Sequence, residues 1–548
     1  MNIRILLIGI VLFAAVLRLY NIGLTPPSPD WDEAALGYNA YSILHTGQDE
    51  YGKTLPLVFQ SFGDYKPGLY VYLTIPFIQV FGLNIIAVRL VSILFGIVAV
   101  IGTYILVDEL FKNKRYALLS AFFLAISPWH IQFSRVGFEA NVGLTLNIFM
   151  VLFFIKGMKN KWLILLSGII AGLNIYVYQS EKVFTPLLFI ICLLLYRKRI
   201  FAHSLQTYAY TSWILFLIII LPMVVFLLKQ PQALSRATST SIFSSQKNIV
   251  INTPERILSD KKNGDIIGEL IDNKRGEYFK SIISGYLKHY NVNWLFITGD
   301  QARHHAPFMG LLYLWELPLL LTGLYIVISK IITRKEMVNE YILLLSWFFI
   351  APIPASVTQD VPHALRTLNF LPTFQVFTSI GLIAVVLFIQ NKIKTGYIRN
   401  GIYIFFGFLI IFNFFYYLDQ YFVQQDFYYS EDWQYGYKQT VETVKQLAPE
   451  YNKIIVEDKT PMDQAYMFFL FYTQYNPQKY HEEQRNAMAH INDYRWFDKY
   501  TFTNIHWDQN QKDTLYVGSP SDFPNNVTPL KTINFLDGTK AIEIVGNK

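Results

Sequence analysis

Long apolar runs separated by short polar connections dominate the first 418 residues of the chain. A run of about 20 apolar residues suits a membrane-spanning helix. Eleven such spans are expected, near 5–22, 85–107, 116–133, 138–155, 162–178, 183–196, 207–228, 311–329, 340–357, 365–389 and 400–418. A twelfth run, Pro67–Gly82, holds two prolines and is too short for a comfortable span, so it is expected as a helix in or dipping into the outer interface. Residues 419–548 lose this pattern. They predict a small α/β domain with helices near Gln439–Leu447 and Asp463–Tyr472, strands at Lys453–Glu457 and Thr514–Val517, and a final hairpin, Thr532–Leu536 and Lys540–Val545. That hairpin is turned at Asp537-Gly538, a good two-residue turn signal.

Charge orients the spans, because cytoplasmic loops collect Lys and Arg. With 67–82 not spanning, the loops near Lys114, Lys159, Lys198, Arg334 and Lys394 all fall on one side, and each carries three positive charges. The short connections opposite carry one apiece, at Arg135, Lys182 and Arg366. The expected topology has the N-terminus cytoplasmic and the tail outside the cell membrane. The first span is expected to be retained rather than cleaved, since no small-residue cleavage site follows it. Two outer loops are large, about 23–84 and 229–310, the second with a Ser/Thr-rich patch at Thr238–Ser245.

Composition supports this picture. Of 548 residues, 53% are hydrophobic and 16% charged, which excludes a disordered chain. One cysteine excludes a disulfide scaffold and a Cys-based zinc site. The net charge of +7 does not point to nucleic acid, because residues 419–548 are net acidic and the cations gather in the cytoplasmic loops. The fold class expected is a polytopic α-helical membrane protein (domain 1–418) with an extracytoplasmic α/β domain (419–548).

Ionisable groups at membrane depth are costly and mark function by default. Here the polar clusters at span ends share one side, the outer one. Trp31-Asp32-Glu33 follows the first span, and Asp64-Tyr65-Lys66 precedes the interfacial helix. His130, Arg135 and Glu139 lie in the second outer turn, and Tyr178, Glu181 and Lys182 in the third. Asp300, Arg303, His304 and His305 end the large loop, and His363 and Arg366 open the tenth span. Each has a plain alternative: Asp32, Glu33 or Glu139 as helix caps, Lys66 or Lys182 as snorkelling anchors, Tyr178 as an interfacial belt residue. Their shared side favours a polar cavity open to the outside.

A carboxylate near the membrane surface faced by Lys and Arg suits group transfer from a phosphate-bearing lipid. Cations hold the phosphate and stabilise its departure, and the carboxylate takes a proton from an acceptor hydroxyl. No metal or other cofactor is required, and a divalent metal is compatible but not indicated. Two other classes remain open: a lipid or solute transporter or flippase, and a non-catalytic lipid-glycan binding protein. The absence of evident repeats and the one-sided charges weigh against a transporter.

The order of these motifs resembles the GT-C superfamily of membrane glycosyltransferases, nearest to glycosyltransferase family 39: the protein mannosyltransferases and the lipid A aminoarabinose transferases. The carriers are Arg18-Leu19-Tyr20, Trp31-Asp32-Glu33-Ala34, Asp64-Tyr65-Lys66-Pro67, Phe81-Gly82-Leu83 with Ala87-Val88-Arg89-Leu90, Ser127-Pro128-Trp129-His130 to Glu139, Gly299-Asp300 with Arg303-His304, and Pro362-His363-Ala364-Leu365-Arg366. The resemblance covers about residues 10–390. It implies a polyprenyl-phosphate-linked sugar donor, a glycan, lipid or protein acceptor, and inverting transfer on the outer face. It also implies Asp32 as the base, Lys66 on the donor phosphate, Glu139 as a second acidic residue, and Glu33 as structural. The arginine that follows the acidic pair in the aminoarabinose enzymes has no counterpart among Ala34–Leu44. Phosphate binding then leans on Arg366, Arg303 or Lys182.

Overall fold

The computed structural model describes residues 2–202, 205–234, 240–243, 253–334, 336–487 and 495–548. Lys335 and half of the Ser/Thr-rich patch lie outside the described residues. Every expected span coincides with a helix. Among the described residues, six are long and apolar enough to cross a membrane: Ile85–Phe111, Glu139–Gly157, Gln206–Lys229, Val338–Ser356, Leu368–Lys392 and Gly396–Tyr428. A seventh is the bent pair Lys114–Ile126 and Pro128–Arg135. The helices at Ile3–Leu19, Trp162–Asn174, Glu181–Leu195 and Glu316–Ile332 have 17, 13, 15 and 17 residues. They rise only about 20–26 Å against a hydrocarbon core of about 30 Å. By length and composition alone, six or seven of the eleven expected spans among the described residues meet the requirement for crossing.

The shortfalls have local causes. The expected span 116–133 bends by 58° between Ile126 and Pro128. Pro128 disfavours helical backbone at Ser127, which is extended (φ −59°, ψ 122°) and caps the next helix instead. The expected span 162–178 stops at Asn174, whose amide turns inward to the Gly143 carbonyl and Asn147. The expected span 311–329 starts late because Leu311 and Leu312 are held in the loop, where Leu312 N–H donates to the Leu295 carbonyl.

The protein is a multi-pass membrane protein. The helix Gly396–Asp419 exposes Phe405, Phe408, Phe412 and Phe415, and Gln206–Lys229 exposes Leu217, Ile218 and Leu221. Apolar faces this long are tolerated in lipid and not in water.

The first large loop, 23–84, is more structured than its pattern suggests. Helix α1 (Ile3–Leu19) leads through the proline-rich segment into α2 (Trp31–Thr46). A short antiparallel hairpin follows, β1 (Val58–Ser61) and β2 (Asp64–Pro67), with Phe59 opposite Lys66. Its turn residues Phe62 and Gly63 both have positive φ. Helix α3 (Leu69–Phe81) matches the expected 67–82 segment and has 13 residues, about 20 Å, too short to cross. The large loop, for which no elements were expected, carries helices Thr253–Asn263, Ile266–Ile271 and Lys274–Lys288.

The C-terminal residues form a six-stranded mixed sheet in the order β4-β5-β3-β6-β8-β7. Here β3 is Lys453–Val456, β4 Arg495–Phe497, β5 Tyr500–Phe502, β6 Thr514–Gly518, β7 Lys531–Asn534 and β8 Lys540–Asn547. Strand β3 pairs in parallel with β5 and β6, and β8 pairs antiparallel with β6 and β7. Gly538 takes φ +90° at the expected hairpin turn. The 418/419 boundary falls inside a helical run that continues to Tyr428. The sheet's helix Ala465–Thr473 packs on α2 so closely that a Cβ at Gly37 would lie 2.6 Å from the Phe471 ring. Tyr38 donates to the Tyr475 carbonyl at 3.2 Å, and Gln474 to the Leu83 carbonyl at 3.1 Å. The tail is docked on the first large loop.

Candidate active site

The first turn of α2 organises the site. Asp30 is its N-cap, accepting from Glu33 N–H at 2.8 Å, so neither Asp32 nor Glu33 does the capping. Its other oxygen accepts from Arg303 Nη1 at 2.8 Å, and that guanidinium lies over the Trp31 ring at 5.0 Å. Burial pushes the Asp30 carboxyl up to about 6, against the pull of Arg303 and with the push of Asp32 and Glu33.

Adjacent residues on a helix diverge by about 100°, and Asp32 and Glu33 do so. Glu33 turns inward to a bidentate pair with Arg89, Nε and Nη2 each at 2.9 Å, and accepts from Gly137 N–H at 2.8 Å. Arg89 also donates to the carbonyls of Ile22, Pro26 and Ser28. This buried brace joins the proline-rich segment, α2, the helix Ile85–Phe111 and the turn before Glu139. Asp32 turns outward, 38% exposed, and pairs with Lys66 Nζ, which is 13% exposed. Lys66 comes from β2 and also lies over the Phe62 ring at 5.4 Å. The crevice around the pair, shared with Asn39 and Ser61, has a volume of only about 10 Å³.

A larger cavity, of about 240 Å³, adjoins β2. Tyr178, Gln179, Ser180, Lys182, Thr358 and Arg366 line one part, and Val183, Leu227, Pro354 and Val357 supply apolar wall. Gln179 Nε2 donates to the Tyr65 carbonyl at 2.8 Å, and Lys182 Nζ donates to Gln179 Oε1 at 2.7 Å. The backbone beside Lys66 is thus one side chain away from Lys182. Arg366 donates to Thr358 Oγ1 at 2.7 Å. Two cations, hydroxyls and an apolar wall suit an anionic headgroup on a hydrocarbon tail.

The polar residues of the sequence pattern separate here. Asp32, Glu33, Lys66 and Arg303 gather at the start of α2. Glu139 opens its helix two residues beyond the Gly137 N–H held by Glu33, and is buried. Lys182, Tyr178 and Arg366 gather in the cavity, with Tyr65 and Asp64 on its β2 side. His304 Nδ1 lies 2.9 Å from Asp300 Oδ2, with the His363 ring 4.9 Å from that of His304. These three offer ligand atoms that all lie within 4.8 Å of one another, a grouping their spacing in the sequence does not suggest.

Three supporting residues are instead buried braces of the bundle. His130 Nδ1 meets Arg18 Nη2 at 2.7 Å. Arg135 donates to the carbonyls of Leu17, Arg18 and Thr25. Glu181 accepts from Asn147, Asn369 and Thr185. Most of their partners come from distant segments, although Thr185 lies four residues from Glu181 and His130 Nε2 meets no hydrogen-bond partner among the described residues, and span-end position cannot distinguish such braces from cavity lining.

Residues 65–226 match the family described as dolichyl-phosphate-mannose-protein mannosyltransferase. A search of curated proteins finds no match. Among solved structures, ArnT from Cupriavidus metallidurans bound to undecaprenyl phosphate is similar at 11% identity and a TM-score of 0.53, covering 99% of this chain and 97% of that one. The fold is GT-C. The archaeal oligosaccharyltransferase AglB from Archaeoglobus fulgidus, in complex with an inhibitory peptide and a dolichol-phosphate, is similar at 13% identity and a TM-score of 0.53, covering 94% of this chain and 69% of that one. The chain spans 63% of another A. fulgidus oligosaccharyltransferase structure, tethered with an acceptor peptide, at 13% identity and a TM-score of 0.51 over 86% of this chain. The GT-C resemblance thus rests on sequence over residues 65–226 and on fold over nearly the whole chain.

Two groups at this site had weak sequence signals that the polar-cluster pattern overlooked. Asp30 stands three residues before Glu33, the spacing of a capping box. Arg89 sits four residues inside an apolar run, where an unpaired cation is costly.

Proposed function

We propose that this protein is an integral membrane glycosyltransferase of GT-C type, moving a sugar from a polyprenyl-phosphate-linked donor to a glycan, lipid or protein acceptor on the outer face of the cell membrane. The observation that carries the proposal is the Asp32–Lys66 pair, set beside a cation-lined cavity with an apolar wall. The polyprenyl phosphates bound by the ArnT and AglB structures support the donor class. The positive charge of the opposite loops supports an extracytoplasmic tail and a cytoplasmic N-terminus.

In this mechanism the lipid tail lies along the apolar wall, and Lys182 and Arg366 hold the phosphate. Lys66 leaves Asp32 for the phosphate as donor enters, which frees the carboxylate. An acceptor hydroxyl attacks the anomeric carbon from the face opposite the phosphate. Asp32 takes the hydroxyl proton, the bond from anomeric carbon to phosphate oxygen breaks, and polyprenyl phosphate departs with its charge met by the cations. The anomeric centre inverts. Held cations of this kind stabilise developing charge without rearrangement during reaction. Glu33, tied to Arg89, braces the backbone that carries Asp32.

The purified protein in liposomes, supplied with polyprenyl-phosphate sugars and extracts of envelope glycans, lipids and proteins, tests this. The expected result is sugar transfer with release of polyprenyl phosphate. Movement of intact donor between leaflets with no loss of sugar would overturn it in favour of a flippase.

A further inference from the structure

We propose that Asp300, His304 and His363 form a binding site for a divalent transition metal of the zinc class. The site stands on the geometry of these side chains and is independent of glycosyl transfer. Asp300 and His304 end the large outer loop, while His363 precedes the helix Leu368–Lys392 on the other side of three intervening helices. All three are almost wholly enclosed, with His363 7% exposed. Asp300 Oδ2 accepts from Ala364 N–H at 2.7 Å and faces His304 Nδ1 at 2.9 Å, which joins the two segments. His363 N–H donates to His289 Nε2 at 3.2 Å, orienting its backbone.

The remaining group is the telling one. His363 Nδ1 is buried without a hydrogen-bond partner, and buried polar atoms are rarely left so. His363 belongs to a set of three residues that each bring one ligand atom within 4.8 Å of the others. Zinc bonds of about 2.0–2.2 Å place tetrahedral ligands roughly 3.3–3.6 Å apart. Closing from the present spacing takes a shift of about 1 Å, within the reach of side-chain rotation. Two imidazoles and one carboxylate favour zinc or a neighbouring transition metal over calcium or magnesium, which take oxygen ligands. Three protein ligands leave a fourth position for water.

Bound metal would clamp the end of the large loop to the Pro362–Arg366 segment. Arg303 adjoins one ligand and Arg366 lies three residues past another, so the clamp would fix the backbone that presents both cations.

The test uses the full chain, purified in detergent through a tag without histidine, loaded with zinc and dialysed. Elemental analysis should find about one zinc per wild-type chain and less than about a tenth as much in His363→Ala. The wild-type unfolding midpoint should fall on chelation and recover with zinc, while the variant responds to neither. X-ray absorption of zinc-loaded wild type should read two imidazoles and an oxygen, and this holds even if the variant fails to fold. Wild type retaining less than about a tenth of a zinc, His363→Ala retaining as much as wild type, or a zinc shell without imidazole would each overturn the site.

Discussion

Lys66 and Asp32 neutralise each other: an ammonium from the short hairpin lies directly on a carboxylate from the first turn of α2. They are 34 residues apart in the chain, and the pair lies in a crevice too small for a sugar. In the proposed mechanism donor entry separates them, and the two side chains should respond differently to substitution.

Asp32→Asn keeps the shape, and the α2 cap stays intact because Asp30 holds it. The variant should fold and bind donor yet lose about 10²–10⁴-fold in transfer rate, the usual cost of a lost general base. Single-turnover transfer by the purified variant checks this. A near wild-type rate would pass the role of base to Glu139.

Lys66→Ala should weaken donor affinity by roughly one to two decades, the worth of a charge-assisted contact of about 1.5–3 kcal/mol, while Lys66→Arg loses less. Arg366→Ala and Lys182→Ala should act in the same direction on affinity. Titration with labelled donor lipid reads all four variants. Normal affinity in every alanine variant would move the phosphate out of this cavity.

Glu33→Gln should fail in a different way. It leaves the Arg89 guanidinium buried opposite a neutral amide, and breaking a buried ion pair costs about 3–5 kcal/mol. The expected outcome is low yield and a depressed unfolding midpoint, with transfer per folded molecule little changed. A stable but inactive Glu33→Gln would make Glu33 part of the chemistry.

Asp30 gives a pH signature. Its carboxyl is raised by burial from 3.8 to about 6, so the folded state holds the proton more tightly than the unfolded chain. Its contribution to stability is complete below about pH 4 and is lost as pH rises through about 6. Asp30→Asn, uncharged throughout and as good a cap, should remove that fall. Unfolding midpoints of both proteins between pH 4 and 8 test it, and parallel curves would contradict the assignment.

Single cysteines in a Cys192→Ser background test orientation. The buried Cys192 lies on a helix where a serine hydroxyl can bond a preceding carbonyl. An impermeant thiol reagent should label positions 64 and 301 from outside and spare 114 and 159. Labelling at 114 with none at 301 would invert the topology.

The sequence by itself determined where the apolar helices fall and what class of protein they build. Apolar runs of fixed length and a 3.6-residue helix leave little choice once lipid is the solvent, and Asp537-Gly538 placed the last hairpin because few residues tolerate that turn. It also determined that Asp32 and Glu33 must part, since helical geometry separates neighbours. Only the tertiary structure decided which partner each would meet. Ser127-Pro128 bends one expected span, and the inward Asn174 ends another, because buried polar groups seek partners wherever the packing supplies them. The same rule sends His130, Arg135 and Glu181 into braces of the bundle while Lys182 and Arg366 line a cavity. Span-end position is identical for both groups. Contacts between residues 32 and 66, 33 and 89, or 304 and 363 depend on loops whose closure no local pattern encodes.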